Sequence, residues 1–335
     1  MNIIQANAQY LDANGVHPYA FMEKAGRTCY KSEDNITDTS AVKFVSALMK
    51  NKHTAMLEHS HIIFEMNQAE ARNMLATCTT LMSHRYSKNQ IVPHLNITIN
   101  DNNGDEGNYM SGSFRTFINL FDTTSDNIHI KHKFIQAALH NTYPELFEKP
   151  DDYDGDTGSY KILSRDEFKE SVTKAYPAKT DSDAIIKKHL VHSVLFTCDR
   201  GVSHEFVRHR PASFAQESTR YCNYSKDKFG REITVIEPCF YEKDSDAYKA
   251  WYEGCLSDEK TYFKLLDAGC TAQQARDNLP TSVKTEIVIT ATEVEWQHII
   301  NLRYHGTTGA PHPQMKEVMA IIYDDLVKAA DNRLK

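Results

Sequence analysis

The chain has 335 residues, 41% hydrophobic and 25% charged, and its 38 Lys and Arg against 45 Asp and Glu give a net charge of −7. That suits a globular protein of one large or two average domains with a substantial core, and argues against a surface devoted to nucleic acid or anionic membrane, which needs clustered excess Lys and Arg. No apolar run approaches the ~20 residues of a membrane span, and the opening MNIIQANAQY lacks the basic-then-apolar pattern of a secretion signal, so a cytoplasmic location is expected.

Ala41, Val42, Val45, Leu48 and Met49 recur at helical spacing. Residues 61–66 (HIIFEM) read as a strand and 67–82 as a helix. From about 84 to 180 the chain turns polar and is broken by DNNGDEGN and PDDYDGDTGS, with short helical patterns at 114–121 and 132–139. This stretch reads as an insertion or subdomain within a single domain spanning 1–335. Strand character returns at 191–197, 233–236 and 285–292. A short helix over 202–209 is expected to stop before Pro211, because the residue before a proline avoids the helical region. Residues 246–266 read as a helix, and Met315, Val318, Met319, Ile322 and Leu326 define the apolar face of the last one. The expected class is α/β (α+β), a sheet flanked by helices. No internal repeat shows in the sequence.

Several chemistries are excluded. No two glycines form a GxG pair and GKS and GKT are absent, so there is neither a Rossmann fingerprint nor a P-loop. Asp152, Asp154 and Asp156 imitate a calcium loop, but Thr157 and Leu163 stand where that loop needs Gly and Glu. His59 and His61 lie two apart without a third ligand at recognisable spacing. No metal is expected. The seven cysteines include no CxxC pair and read as reduced thiols. Cys239 follows Pro238 as in the cysteine-dependent thymidylate synthases, but Phe240 comes next, so Cys239 reads as structural.

One segment carries chemistry: Arg208-His209-Arg210-Pro211-Ala212-Ser213-Phe214-Ala215-Gln216-Glu217-Ser218-Thr219-Arg220-Tyr221. Arginine forks bind phosphate bidentately, and hydroxyls with backbone N–H groups complete an anion cradle. The alternative is a surface ion-pair network. Asp199, Glu205 and Glu217 nearly balance Arg200, Arg208, Arg210 and Arg220, so composition leaves both open.

The order of residues resembles the signature of the flavin-dependent thymidylate synthases, the ThyX family: RHR, seven residues, then SxRY. The stretch HTAMLEHSHIIF (53–64), the turn Ala275-Arg276-Asp277-Asn278-Leu279-Pro280, WQHIINLR (296–303) and His312-Pro313-Gln314 also resemble family segments. The resemblance covers roughly 20–66, 188–237 and 271–330, and leaves 84–180 unexplained. It implies a ThyX-type fold, not Rossmann, and a homotetramer. It implies reductive methylation of dUMP to dTMP with FAD, NADPH and 5,10-methylenetetrahydrofolate. His53, Arg208, His209, Arg210 and His298 would contact FAD. Arg208, Ser218, Thr219, Arg220, Arg276 and Arg303 would contact dUMP, with Glu205 and Gln216 at further nucleotide-side positions. Arg303 would face the uracil and favour loss of its N3 proton, making it the catalytic residue. A guanidinium there stabilises negative charge on the ring, while the cofactor carries the redox step.

The chain departs from the family pattern at Ala215-Gln216 in place of Asn-Glu, at Glu205 in place of Gln, at Thr292 in place of Asn and at Cys29 in place of Ser. A carboxylate at Glu205 would repel a phosphate unless an arginine pairs with it. The altered Glu205 and Gln216 leave open a related flavoenzyme that transfers another one-carbon group to a pyrimidine nucleotide, or one that accepts dCMP. A non-catalytic nucleotide binder, with Phe214, Tyr221 and Tyr224 to stack bases, is the rival from another class. The 84–180 segment would be either structural or a lid over the folate or NADPH side; within it 108–121 has a strand-to-helix look, and on the lid reading Arg115 would reach a ligand.

Overall fold

The computed structural model describes residues 1–83, 94–102, 104–122, 133–150, 156–226 and 229–335. Its strands are β1 (Asn2–Ile4), β2 (Asn7–Leu11), β3 (His61–Met66), β4 (Asn96–Thr98), β5 (Asn108–Ser113), β6 (Lys161–Leu163), β7 (Val191–Asp199), β8 (Ser213–Gln216), β9 (Thr234–Ile236) and β10 (Lys284–Thr292). The α/β (α+β) class holds, with the strands divided mainly between two four-stranded sheets. One has the order β2-β7-β10-β8, the other β4-β5-β3-β6, and every pairing in both is antiparallel. This is no doubly wound parallel sheet, in keeping with the missing glycine fingerprint. β1 and β9 form a separate parallel pair.

Each sheet has its own core. Tyr19, Leu57, Phe64, Met110, Phe114 and Phe117 anchor one cluster. Val194, Phe196, Ile289, Trp296, Ile299 and Met319 anchor the other, covered by helices Glu293–Ile300 and Pro313–Ala329. The last helix does bury Met315, Val318, Met319, Ile322 and Leu326, as its spacing predicts.

The segment read as an insertion supplies β4, β5 and β6, three of the four strands of one sheet. β5 pairs with β3 from His61↔Ser113 to Met66↔Asn108, and all six of its residues are buried. Its polar look comes from buried groups that are bonded inside. Asn108 Oδ1 accepts from the Asn100 backbone N–H at 2.9 Å, and Ser113 Oγ lies 2.9 Å from Thr116 Oγ1. The strand-to-helix junction expected near 108–121 is present, with helix Phe114–Asp122 following β5 directly. The helix read over 67–82 spans Gln68–Ser83, and the one over 132–139 spans Lys133–Thr142, with His132 outside the described residues. The acidic turn containing Asp152 and Asp154 also lies outside them.

The short helix expected over 202–209 is instead Arg200–Phe206. Asp199 caps it, its side chain accepting from the Val202 N–H at 2.8 Å, so the helix starts and ends earlier. That frees residues 207–212 as an irregular turn that carries Arg208 and Arg210.

Candidate functional site

The signature segment runs from this turn into β8, whose Ala215 pairs with Val288 of β10. The acids that could neutralise its arginines are engaged elsewhere. Glu217 is buried and accepts from Lys284 Nζ at 2.9 Å. Asp199 serves as a helix cap. Glu205 accepts from Arg303 Nη1 at 2.6 Å, and its backbone carbonyl accepts from Nη2 at 3.3 Å. Arg208, Arg210 and Arg276 are exposed, and among the described residues their guanidinium groups have no carboxylate partner. Arg220 is exposed too and donates only to Gln273, at 3.2 Å, one turn before Arg276. The balanced ion-pair network that composition allowed does not form.

The structure brings Glu205, His209, His298 and Arg303 together. Arg303 lies in a π-helical turn, Asn301–His305, that continues helix Glu293–Ile300; such turns splay the backbone locally. Its Nε donates to His209 Nε2 at 3.2 Å. Arginine can only donate, so His209 must carry its proton on Nδ1, which donates to Glu295 Oε1 at 3.1 Å. His209 is therefore buried and locked in one tautomer, with His298 packed edge-on at 5.5 Å between ring centroids. His209, Glu295 and His298 each bring a possible ligand atom within 4.8 Å of the others. Both nitrogens of His209 are already used, which leaves no lone pair there for a metal.

A second group forms around His53. Tyr30, His53, Met56 and Arg115 line a cavity of about 390 Å³ with Cys29 and Tyr221 of the signature segment. Tyr221 is 55% exposed, with its ring 5.3 Å from that of Tyr30. The Ser218 N–H donates to the Cys29 carbonyl at 3.0 Å, which fixes the signature segment onto helix Pro18–Tyr30. Burial pushes the Cys29 thiol up to about 11, so it remains protonated at neutral pH. Arg115 donates through Nη1 to Glu58, while its buried Nε has no hydrogen-bond partner.

Other positions have structural explanations. Gln216 donates to Ser203 Oγ at 2.9 Å and Thr285 Oγ1 at 3.2 Å, and so ties β8 to helix Arg200–Phe206 and β10. Thr292 caps helix Glu293–Ile300, accepting from the Glu295 N–H at 3.3 Å. Burial, then the neighbouring Glu317, raises the Cys239 thiol to about 11, a poor nucleophile at neutral pH. Sequence reasoning missed Glu58, His94 and Glu295. Ser213 Oγ donates to Glu58 Oε2 at 2.7 Å and lies 2.6 Å from His94 Nε2. The one available signal was that Glu58 stands beside His59 in the family-like stretch.

The model of the family described as thymidylate synthase complementing protein matches residues 14–170 and 183–330. The chain belongs to that family. The matched stretches take in most of the residues that the sequence reading left unexplained. Among curated relatives of this family member, the flavin-dependent thymidylate synthase of Pyrococcus abyssi is 34% identical over 106 residues, 32% of this chain and 43% of that protein. The flavin-dependent thymidylate synthase of Pyrococcus horikoshii is 38% identical over a stretch of the same coverage. The chain thus spans less than half the length of the curated relatives it matches. A UMP/dUMP methylase, PolB from Streptomyces cacaoi, bound with 5-Br UMP, overlaps at 19% identity and a TM-score of 0.39, covering 50% of this family member and 87% of that chain. No helix among the described residues is long and apolar enough to cross a membrane.

Proposed function

We propose that the protein methylates dUMP reductively to dTMP, with 5,10-methylenetetrahydrofolate as carbon donor and NADPH-reduced FAD as hydride source. The observation that carries this reading is the set of exposed arginines Arg208, Arg210 and Arg276, left without carboxylate partners in a segment whose acids are bonded elsewhere. Such a set suits an anionic ligand. Family membership and the names of the relatives support the reaction class. A homotetramer in the cytoplasm belongs to the same reading.

The residues present fit a flavin nucleotide. The cavity beside His53 is lined by Tyr30 and Tyr221, and the unpartnered Nε of Arg115 belongs to the same wall. In this reading His53, Arg208, Arg210 and His298 hold the FAD, and His209 acts from beneath by fixing Arg303. When bound, the flavin supplies the hydride. The remaining work belongs to side chains. Arg208, Ser218, Thr219, Arg220 and Arg276 bind the nucleotide and its dianionic phosphate. Arg303 stabilises negative charge on the uracil as N3 loses its proton. Glu205 and His209 hold its guanidinium in the free protein, so the arginine is oriented before substrate arrives. Gln216 supports β8 behind the nucleotide.

The test is a visible absorbance spectrum of the protein supplemented with FAD, before and after NADPH in the presence of dUMP. A bound flavin band that bleaches, with dTMP as product, is expected. No band would overturn the reading and favour a nucleotide binder without redox chemistry. A band that bleaches with turnover of dCMP alone would replace the substrate.

A further inference from the structure

The two four-stranded sheets repeat one another. The first half of the chain runs strand, two helices, strand, helix, two strands, two helices, from β2 to helix Lys133–Thr142. The second half runs through the same series from β6 to helix Pro313–Ala329, once residues 217–283 are set aside. The sheet orders β4-β5-β3-β6 and β8-β10-β7-β2 correspond strand for strand. Each half's first strand completes the other half's sheet.

Residue-level correspondences follow. β5 and β10 both pass straight into a helix, at Ser113-Phe114 and Thr292-Glu293. Superposing these junctions places Phe117 on Trp296 and Leu120 on Ile299, all four buried. Since His61 pairs with Ser113 and Val191 with Thr292, His61 falls on Val191, and counting back places His59 on His189. Both are buried histidines. His59 Nδ1 lies 2.8 Å from Thr290 Oγ1, and His189 Nδ1 lies 2.8 Å from Ser111 Oγ. The same superposition places Ser111 on Thr290. The same nitrogen therefore reaches corresponding hydroxyls across the two halves at equal distance. Both histidines line one cavity of about 250 Å³ between the sheets.

The site chemistry is not repeated. Ser111 pairs with Asn96 and Thr290 with Ser213, which places Asp101 and Asn102 on Ser218 and Thr219. A carboxylate thus stands in the first half where the second has a hydroxyl. The first half connects β4 to β5 through residues 99–107. The second connects β8 to β10 through residues 217–283, which include Arg276 and the 22-residue helix Asp246–Asp267. Near the short connection, Tyr176 donates to the Gly107 carbonyl at 2.8 Å and closes against it. The cavity that is open is walled by both halves: Tyr30, His53 and Arg115 from the first, Tyr221 from the second.

We propose that the chain is an internal duplication whose first repeat serves as a built-in partner for the second, so that one chain holds one nucleotide-and-flavin site, closed in cis. The identity of the ligands rests on the function proposed above; the duplication and the cis closure do not. The family match falls in two stretches, 14–170 with β3, β4 and β5, and 183–330 with β7, β8 and β10. On this reading the repeat does not show in the sequence because what persists is strand register, buried side-chain size and one histidine–hydroxyl pair per half.

Two measurements on the full-length protein test this. Titration with FAD and with dUMP is expected to reach one of each per chain; two per chain would overturn the proposal. The second needs no ligand. Ser218→Cys, next to Cys29, is oxidised, and the linked peptides are identified by mass spectrometry after non-reducing electrophoresis. A link within one chain of 38.3 kDa is expected. A link joining two chains, or no link, would overturn cis closure. If neither ligand binds, the functional reading fails and the cross-link alone decides the arrangement.

Discussion

The N-terminal and C-terminal repeats share a chain path and fill corresponding positions differently. At the head of the helix that follows the inner strand, the first repeat has Phe114 and the second has Glu293, both fully buried. Phe114 packs among Tyr19, Tyr143 and Phe147. Glu293 accepts from Arg333 Nε at 2.7 Å and from His192 Nε2 at 3.0 Å. One fold position is thus filled by hydrocarbon in one repeat and by an ion pair in the other. The first repeat is apolar at this position, and the repeat with the signature segment carries a polar interior that continues to His209, Glu295 and Arg303. A duplicated fold tolerates both because the backbone pairing is what both halves retain.

The largest expected effects come from truncating this matched pair. Phe114→Ala should cost about 3–5 kcal/mol as a large aromatic vacates a packed core. Glu293→Ala should cost about the same, since it strands Arg333 in the interior. The pH dependence of unfolding separates them. Burial alone would raise the Glu293 pKa, but hydrogen bonds from Arg333 and His192 hold it below the usual carboxylate range. Its stabilisation is present above the unfolded carboxylate pKa and lost as pH falls through the folded value. Glu293→Ala should therefore weaken the acid limb of a denaturant-midpoint profile, while Phe114→Ala lowers the whole curve uniformly. Equal profiles would erase the contrast.

The histidine pair gives the next effect. Burial, aided by His94 for His59 and by Lys188 for His189, depresses both to about 3. Unfolding exposes imidazoles that titrate near 6.5. As pH falls from about 6.5 toward 3, the unfolded state gains protons that the folded state refuses, and stability drops by about 1.4 kcal/mol per pH unit for each histidine. A His59→Asn/His189→Asn double variant should flatten that slope. At neutral pH the two repeats should differ. His189 contacts both Ser111 and Thr98, whereas His59 contacts Thr290, which keeps a bond to Ser193 at 2.6 Å. His189→Ala should thus cost about 1 kcal/mol more than His59→Ala, by chemical denaturation. The smallest effect concerns the closed place in the first repeat. Tyr176→Phe should cost only about 0.5–1.5 kcal/mol for one hydrogen bond and leave ligand stoichiometry unchanged.

Local patterns were legible and long-range ones were not. Helix Ser40–Lys50 and helix Pro313–Ala329 announced themselves through apolar spacing, and the RHR-to-SxRY segment through residue order. β5 showed only as a strand-to-helix look at 108–121, because Asn108, Ser111 and Ser113 are buried with partners in Asn100, His189 and Thr116 and leave no apolar alternation to read. β8 lay hidden in the signature segment, where the residues were read for chemistry. The partners that fix the site, Glu58 for Ser213 and Lys284 for Glu217, are far away in sequence, so composition alone could not show which arginines would stay free. The expectation that Glu205 needs an arginine partner was legible; that the partner is Arg303 came only from the fold.

The exchanged edge strands set a timetable for synthesis. β2 is made some 180 residues before its partner β7, which begins only at Val191. The first sheet likewise waits for β6 at Lys161–Leu163. Neither half can finish alone, so a nascent or truncated chain that stops between them presents two unpaired sheet edges, the surfaces by which chains capture one another. The same exchange that ties the two halves together leaves each exposed to mispairing until the other has been made.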